Sequence, residues 1–357
     1  MRLLTSAICT TVAVGLLAGC SGSNLGSTSA VPSTGTAQNH FINGKFIPQY
    51  SKFASLIPAE LRPTGSHGIA KLGASPDKKK KGGIYASEFY GSTIYGYTNP
   101  NSSNNPPVCS VSGVSYPNNI AVDGKGNLID PDGGSRSIIV YKGKGMCGPM
   151  VGSTSDGYGQ PSDATSPNAA TGKIVVGNIF DTSGAGSVSV CTLSDGCTVN
   201  LTNANMYEVA GVAQAKNGDC WADAINSAGT ATLTYFKGCS GSGQAATGFT
   251  NAYFGGLDID KAGNLVSISA FDSKLYIYKG CNPACTAVGG PYSLNGEAVF
   301  GHLDKKSKSF VTGDFSIGQL DVYKYSVSGI SLSYSITNGL SPSLDVEGAA
   351  FNPRSKE

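Results

Sequence analysis

From residue 68 onward the chain is written in short apolar runs of four to six residues, cut by Gly, Asn, Asp and Ser clusters. Runs of that length bounded by turn residues predict strands rather than helices. The runs also recur as a unit: an apolar strand ending in a turn, a second strand, an acidic residue at the next turn, then a strand ending in an aromatic. Copies start at Gly68-Ile69-Ala70, Ile120-Ala121-Val122-Asp123, about Ala164, Gly211-Val212-Ala213, Leu257-Asp258-Ile259-Asp260 and Ala298-Val299-Phe300. A truncated further start appears at Ala349-Ala350-Phe351. The six intervals from Ile69 to Ala349 give a mean period of about 47 residues, the length of a four-stranded propeller blade.

The clearest copies are AVDGKGNLI at 121–129 and DIDKAGNLV at 258–266, where an apolar/Asp strand meets a Gly-Asn turn of hairpin type. These segments resemble the NHL and regucalcin-like six-bladed propeller repeats over roughly residues 68–353. The expected fold is therefore all-β, a six-bladed β-propeller of four-stranded blades. Seven blades would need more residues than remain once the N-terminal tether is set aside. The incomplete start at Ala349 fits ring closure, in which a strand from one terminus pairs with strands from the other. A β-sandwich or parallel β-helix is the alternative, and irregular stretches around 98–117 and 142–170 argue against a tight solenoid.

The N-terminus reads differently. An apolar run from Leu3 to Leu17 is too short for a membrane span and suits a signal-peptide core. Leu17-Ala18-Gly19-Cys20 resembles the bacterial lipobox, which implies cleavage after Gly19 and acylation of Cys20. Ser21 in place of Asp implies the outer membrane where there is one. The expected organisation is a signal peptide at 1–19, a flexible polar tether at 20–40, an N-terminal arm at 41–67 and the propeller at 68–357. The expected location is the bacterial cell envelope, with the lipid bilayer as a partner through Cys20. Lys78–Lys81 reads as a solvated turn, like the later turn with Lys305, Lys306 and Lys308, with contact to anionic lipid or polysaccharide as the alternative.

Composition narrows the function. With 25 Lys and Arg against 23 Asp and Glu, the net charge of +2 supplies no basic stripe, and nucleic-acid binding is excluded. Ten cysteines less Cys9 and Cys20 leave an even eight, which in an exported chain reads as disulfides. Cys191 with Cys197, and Cys281 with Cys285, each enclose a turn after a third strand. Cys220 and Cys239 face each other across an antiparallel pair reversing near Asn226–Thr230. Cys109 with Cys147 follows by elimination. A zinc site built from the closely spaced thiols is the rival reading.

Only three histidines, His40, His67 and His302, are present, so nucleophilic triads are poorly supplied. His302 reads as a strand-end residue. An acidic residue does recur after most second strands: Glu88, Asp132, Asp181, Asp223, Asp272 and Asp314. Equivalent positions share one face of a propeller, so these carboxylates form a ring at the channel mouth that suits Ca²⁺ or another divalent cation. The resemblance to regucalcin-like lactonases implies Glu88, Asn178 and Asp272 as metal ligands polarising a lactone carbonyl. The alternative role for the acids is bonding backbone N–H groups of their own turns. Loops at 98–107 and 153–170, with Tyr90, Tyr95, Tyr97, Tyr158 and Trp221, offer a recognition surface for a protein, glycan or small molecule. The expected function is a binding or interaction module, with a divalent-cation-dependent, lactonase-like hydrolase as the alternative.

Overall fold

The computed structural model describes residues 82–98, 105–143, 146–167, 171–182, 184–270, 272–341 and 346–352, with the backbone of 41–42, 45–46 and 68–71. Cys20, the tether, most of the arm and Lys78–Lys81 lie outside the described residues. A two-stranded sheet pairs Phe41–Ile42 with Lys45–Phe46, and six larger antiparallel sheets follow and close into a ring. The chain is a six-bladed β-propeller.

Blade I places Val346–Asn352 innermost, then Gly83–Glu88, Thr93–Thr98 and Cys109–Ser112. Blades II and III run outward as Ala121–Val122, Leu128–Asp132, Ser137–Tyr141, Met150–Ser155, and as Gly159–Thr165, Ile174–Asp181, Ser187–Thr192, Gly196–Leu201. Blade IV comprises Glu208–Gln214, Cys220–Ile225, Ala231–Phe236 and Gln244–Ala245. Blade V comprises Leu257–Ile259, Leu265–Ser269, Lys274–Lys279 and Thr286–Ser293, and blade VI Ala298–Leu303, Ser309–Asp314, Gln319–Ser326 and Gly329–Ile336.

Middle strands are covered on both faces by neighbouring blades, so they read as unbroken apolar runs such as SIIVY at 137–141. One apolar cluster fills each gap between blades. Ile94, Val111 and Ile139 lie between blades I and II, for example, and Ile84, Val322 and Val346 between VI and I. The motif turns behave as the sequence predicts. Asp123 Oδ1 accepts the Lys125 and Asn127 N–H groups at 2.8 Å, and Asp260 Oδ1 accepts those of Ala262 and Asn264 at 2.9 Å. Gly126 and Gly263 complete these turns with φ of 85° and 84°, a conformation that a side chain would disfavour. The Lys305–Lys308 turn is held likewise by Asp304.

Ring closure follows the truncated repeat: Ala349, Ala350 and Phe351 pair with Ala86, Tyr85 and Ile84. The first repeat start is corrected. Gly68–Lys71 pairs with Cys109–Ser112 as a fifth, outermost strand of blade I. The C-terminal strand already holds the innermost place, so the free outer edge is what remains to be paired. The expected loop at 153–170 is also corrected, because it contains the outer strand of blade II and the buried inner strand of blade III. The latter, GQPSDAT, lacks an apolar pattern because it lies at the axis, where polar side chains bond to other blades. Tyr97 and Trp221 are packing residues rather than recognition surface. Both are buried, and the Trp221 indole donates to the Cys281 carbonyl at 2.6 Å.

All eight cysteines pair as expected, including Cys109 with Cys147, the pair that follows by elimination. Three bridges close turns within a blade, whereas Cys109–Cys147 ties blade I to the segment before the outer strand of blade II. The thiols are thereby spent, which removes the zinc reading.

Candidate functional site

The recurring acids sit at the ends of second strands, and the local geometry shows what occupies them. Glu88 Oε1 accepts the Ser341 N–H at 2.7 Å, Asp132 Oδ2 accepts that of Ser115 at 2.6 Å, and Asp314 Oδ1 accepts that of Glu297 at 3.1 Å. Each donor lies in the segment leading into the innermost strand of the same blade. These three carboxylates therefore pin the incoming connection to the turn between second and third strands. Gly296 permits the Asp314 contact, since a Cβ there would lie 1.7 Å from Asp314 Oδ2. Asp181 accepts the Ala185 N–H at 3.3 Å within its own turn. Asp223 accepts the Ser267 hydroxyl of blade V at 3.0 Å.

Of the residues implied by the lactonase resemblance, Glu88 is buried in blade I, and burial raises its carboxyl against the pull of the Ser341 N–H. Asn178, in blade III, donates to Ser187 and Ser189 at 3.3 and 2.8 Å. Asp272, in blade V, is half-buried, raised by burial and opposed by the Ser269 hydroxyl. No hydrogen bond joins any two of them among the described residues. In the same set, the one grouping of three His, Cys, Asp or Glu ligand atoms within 4.8 Å is Asp156 with Cys191 and Cys197. Its two sulfurs are in a disulfide.

A different polar cluster occupies the axis. Asn119, just before the inner strand of blade II, donates to Asp163 Oδ1 of blade III at 2.7 Å and meets His302 Nε2 of blade VI at 3.2 Å. His302 Nδ1 lies 3.4 Å from Asp258 Oδ2 of blade V. Backbone donors complete the set, Val212 N–H to Asp163 Oδ2 and Leu303 N–H to Asp258 Oδ2, both at 2.7 Å. Blades II and VI are not neighbours, so the Asn119–His302 contact bridges the channel past blade I. Burial pushes Asp163 up to about 7 against the opposing pull of His302 and three N–H donors. For His302, burial lowers the imidazole but Asp258 and Asp163 more than offset it, leaving it above its ordinary value.

Sequence reasoning missed Asn119, Asp163 and Asp258 in this cluster and read His302 as a strand end. The available signal was polar residues inside innermost strands, where a packing role would call for apolar ones.

A cleft of about 360 Å³ opens between blades II and III. It is formed by the turn at Asp123–Asn127 and the turn at Thr192–Asp195, on the face opposite the recurring acids. Ile129, Val140, Ile174 and Leu193 form its floor, with Lys125, Ser194 and Asp195 at its exposed rim.

No family model and no curated protein matches the sequence. Similar solved structures share the fold. A protein of unknown function from Bacteroides caccae aligns at 8% identity and TM-score 0.53, over 77% of this chain and 100% of that one. A proposed 6-phosphogluconolactonase from Bacteroides fragilis aligns at 10% identity and TM-score 0.51, over 77% and 99%. A Xanthomonas campestris gluconolactonase aligns at 14% identity and TM-score 0.49, over 77% and 92%.

Proposed function

We propose that this propeller is an extracytoplasmic binding module, held at the bacterial envelope through acylated Cys20. The cleft between blades II and III carries the binding reading. It sets a hydroxyl, an ammonium and a carboxylate at the rim of an apolar floor, the arrangement of a site for a small amphiphilic ligand. A glycan fragment or a short peptide has that chemistry. Two further observations support the reading. Four disulfides suit an oxidising compartment, and Glu88 and Asn178 are engaged in holding their own surroundings.

The test is binding to arrayed glycans and envelope peptides by the native protein and by Ser194→Trp, which fills the cleft from its exposed rim. Binding that Ser194→Trp abolishes is the expected result. Divalent-cation-dependent lactone hydrolysis that falls in Glu88→Gln or Asp272→Asn would overturn the reading in favour of a hydrolase. Anchoring is tested separately: fatty-acid labelling should vanish in Cys20→Ser, and labelling that persists would end that part of the proposal.

A further inference from the structure

Burial in this chain is one-sided in charge. Among the described residues eleven carboxyl groups are buried and no Lys or Arg is, while the one ion pair joins His302 to Asp258. Buried charges are ordinarily paired or bound to metal. Asp130 stands out: it is fully buried in Leu128–Asp132, and neither of its carboxylate oxygens has a hydrogen-bond partner.

Asp132 and the Tyr141 phenol are its ionisable neighbours. Side chains alternate along a strand, so Asp130 and Asp132 project from the same face. That face looks toward blade I, because Leu128 and Ile139 beside them pack with Ile94 and Val111. Asp132 accepts the Ser115 N–H on one oxygen and the Ser135 N–H on the other. The Ser115 hydroxyl is itself buried, at 2% exposure, and has no partner. The Tyr141 phenol lies near enough for both carboxylates to add to the upward push that burial gives it.

We infer that the interface of blades I and II holds an internal site for a hard cation of the calcium class, with Asp130 as its anionic ligand and Ser115 Oγ and Asp132 as supporting oxygens. The donor set is all oxygen, as calcium prefers, and a bound cation would satisfy both the uncompensated charge and the idle hydroxyl. Its role would be structural, joining the same two blades that Cys109–Cys147 joins. Burial first and the Asp132 charge second push the Asp130 carboxyl well above the usual carboxylate range.

The experiment strips the purified protein with EDTA, dialyses it against Ca²⁺, and counts bound calcium by elemental analysis alongside calorimetric titration. The expected result is about one tightly held ion per chain, lost in Asp130→Asn and kept in Asp272→Asn. Native protein with no bound calcium overturns the proposal, as does binding that survives in Asp130→Asn. Should Asp130→Asn give no cooperative melting transition, Ser115→Ala decides: a several-fold weaker affinity supports the site, and an unchanged affinity overturns it.

Discussion

His302 and Asn119 show how much a single contact across the axis is asked to do. Asn119 is the side-chain donor to Asp163 Oδ1, which is fully buried. Truncating it leaves a buried carboxylate short of a partner, a loss on the order of 1–3 kcal/mol. Asn119→Ala is therefore expected to lower the urea midpoint without changing the slope of the transition, and an unchanged midpoint would mean that the network is not tight in solution. Gly296 makes a second case. Its φ is 56°, and a Cβ added there would lie 1.7 Å from Asp314 Oδ2, which leaves no room for alanine. Gly296→Ala should cost about 1–3 kcal/mol, read by the same titration. Neither residue is conspicuous in the sequence, because what matters is the neighbour each meets from another part of the chain.

At the scale of elements, the turns were the most legible part. Asp-x-x-Gly-Asn fixes its geometry within five residues, as Asp123–Asn127 and Asp260–Asn264 show, so local chemistry suffices to predict it. Inner strands were harder. GQPSDAT looks like a loop until Asp163 is seen bonded to Val212 and Asn119, partners that lie 49 and 44 residues away. The seating of Gly68–Lys71 was illegible for a related reason, since it depends on the C-terminal strand having taken the inner position. The disulfides offer a graded test. In the chain-entropy account, the 38-residue separation of Cys109–Cys147 is worth about 4 kcal/mol and the 4-residue separation of Cys281–Cys285 about 2. Paired Cys→Ser variants should rank in that order by thermal midpoint, and the reverse ranking would show that the shorter bridge acts chiefly in the folded state.

For the whole molecule, the one-sided charge of the interior sets the response to pH. Asp163 rises from the ordinary 3.8 to about 7 on folding, so between those values the folded chain binds more protons than the unfolded one. Stability must then fall as pH rises through that window. His302 acts in the same sense: its contribution is complete below 6.5 and is lost as pH climbs past its raised value. At about 1.4 kcal/mol for each unit of displacement, Asp163 alone is worth on the order of a few kcal/mol. The metal-free protein should melt at a higher temperature at pH 5 than at pH 8, and a higher midpoint at pH 8 would show that the buried acids keep their charge.

The closing strand also sets a timetable. Val346–Asn352 is the last described element of the chain and the innermost strand of the first blade. On a ribosome working from the N-terminus, blades II to VI have all their strands before blade I acquires its core-facing one. The ring can therefore close only once Val346–Asn352 has been made, and until then Ile84 and Tyr97 lack the cover that Val346 and Ala349 bring. Removing residues 346–357 freezes the molecule at that stage, and the shortened chain is expected to bind a hydrophobic dye and to lose its sharp melting transition.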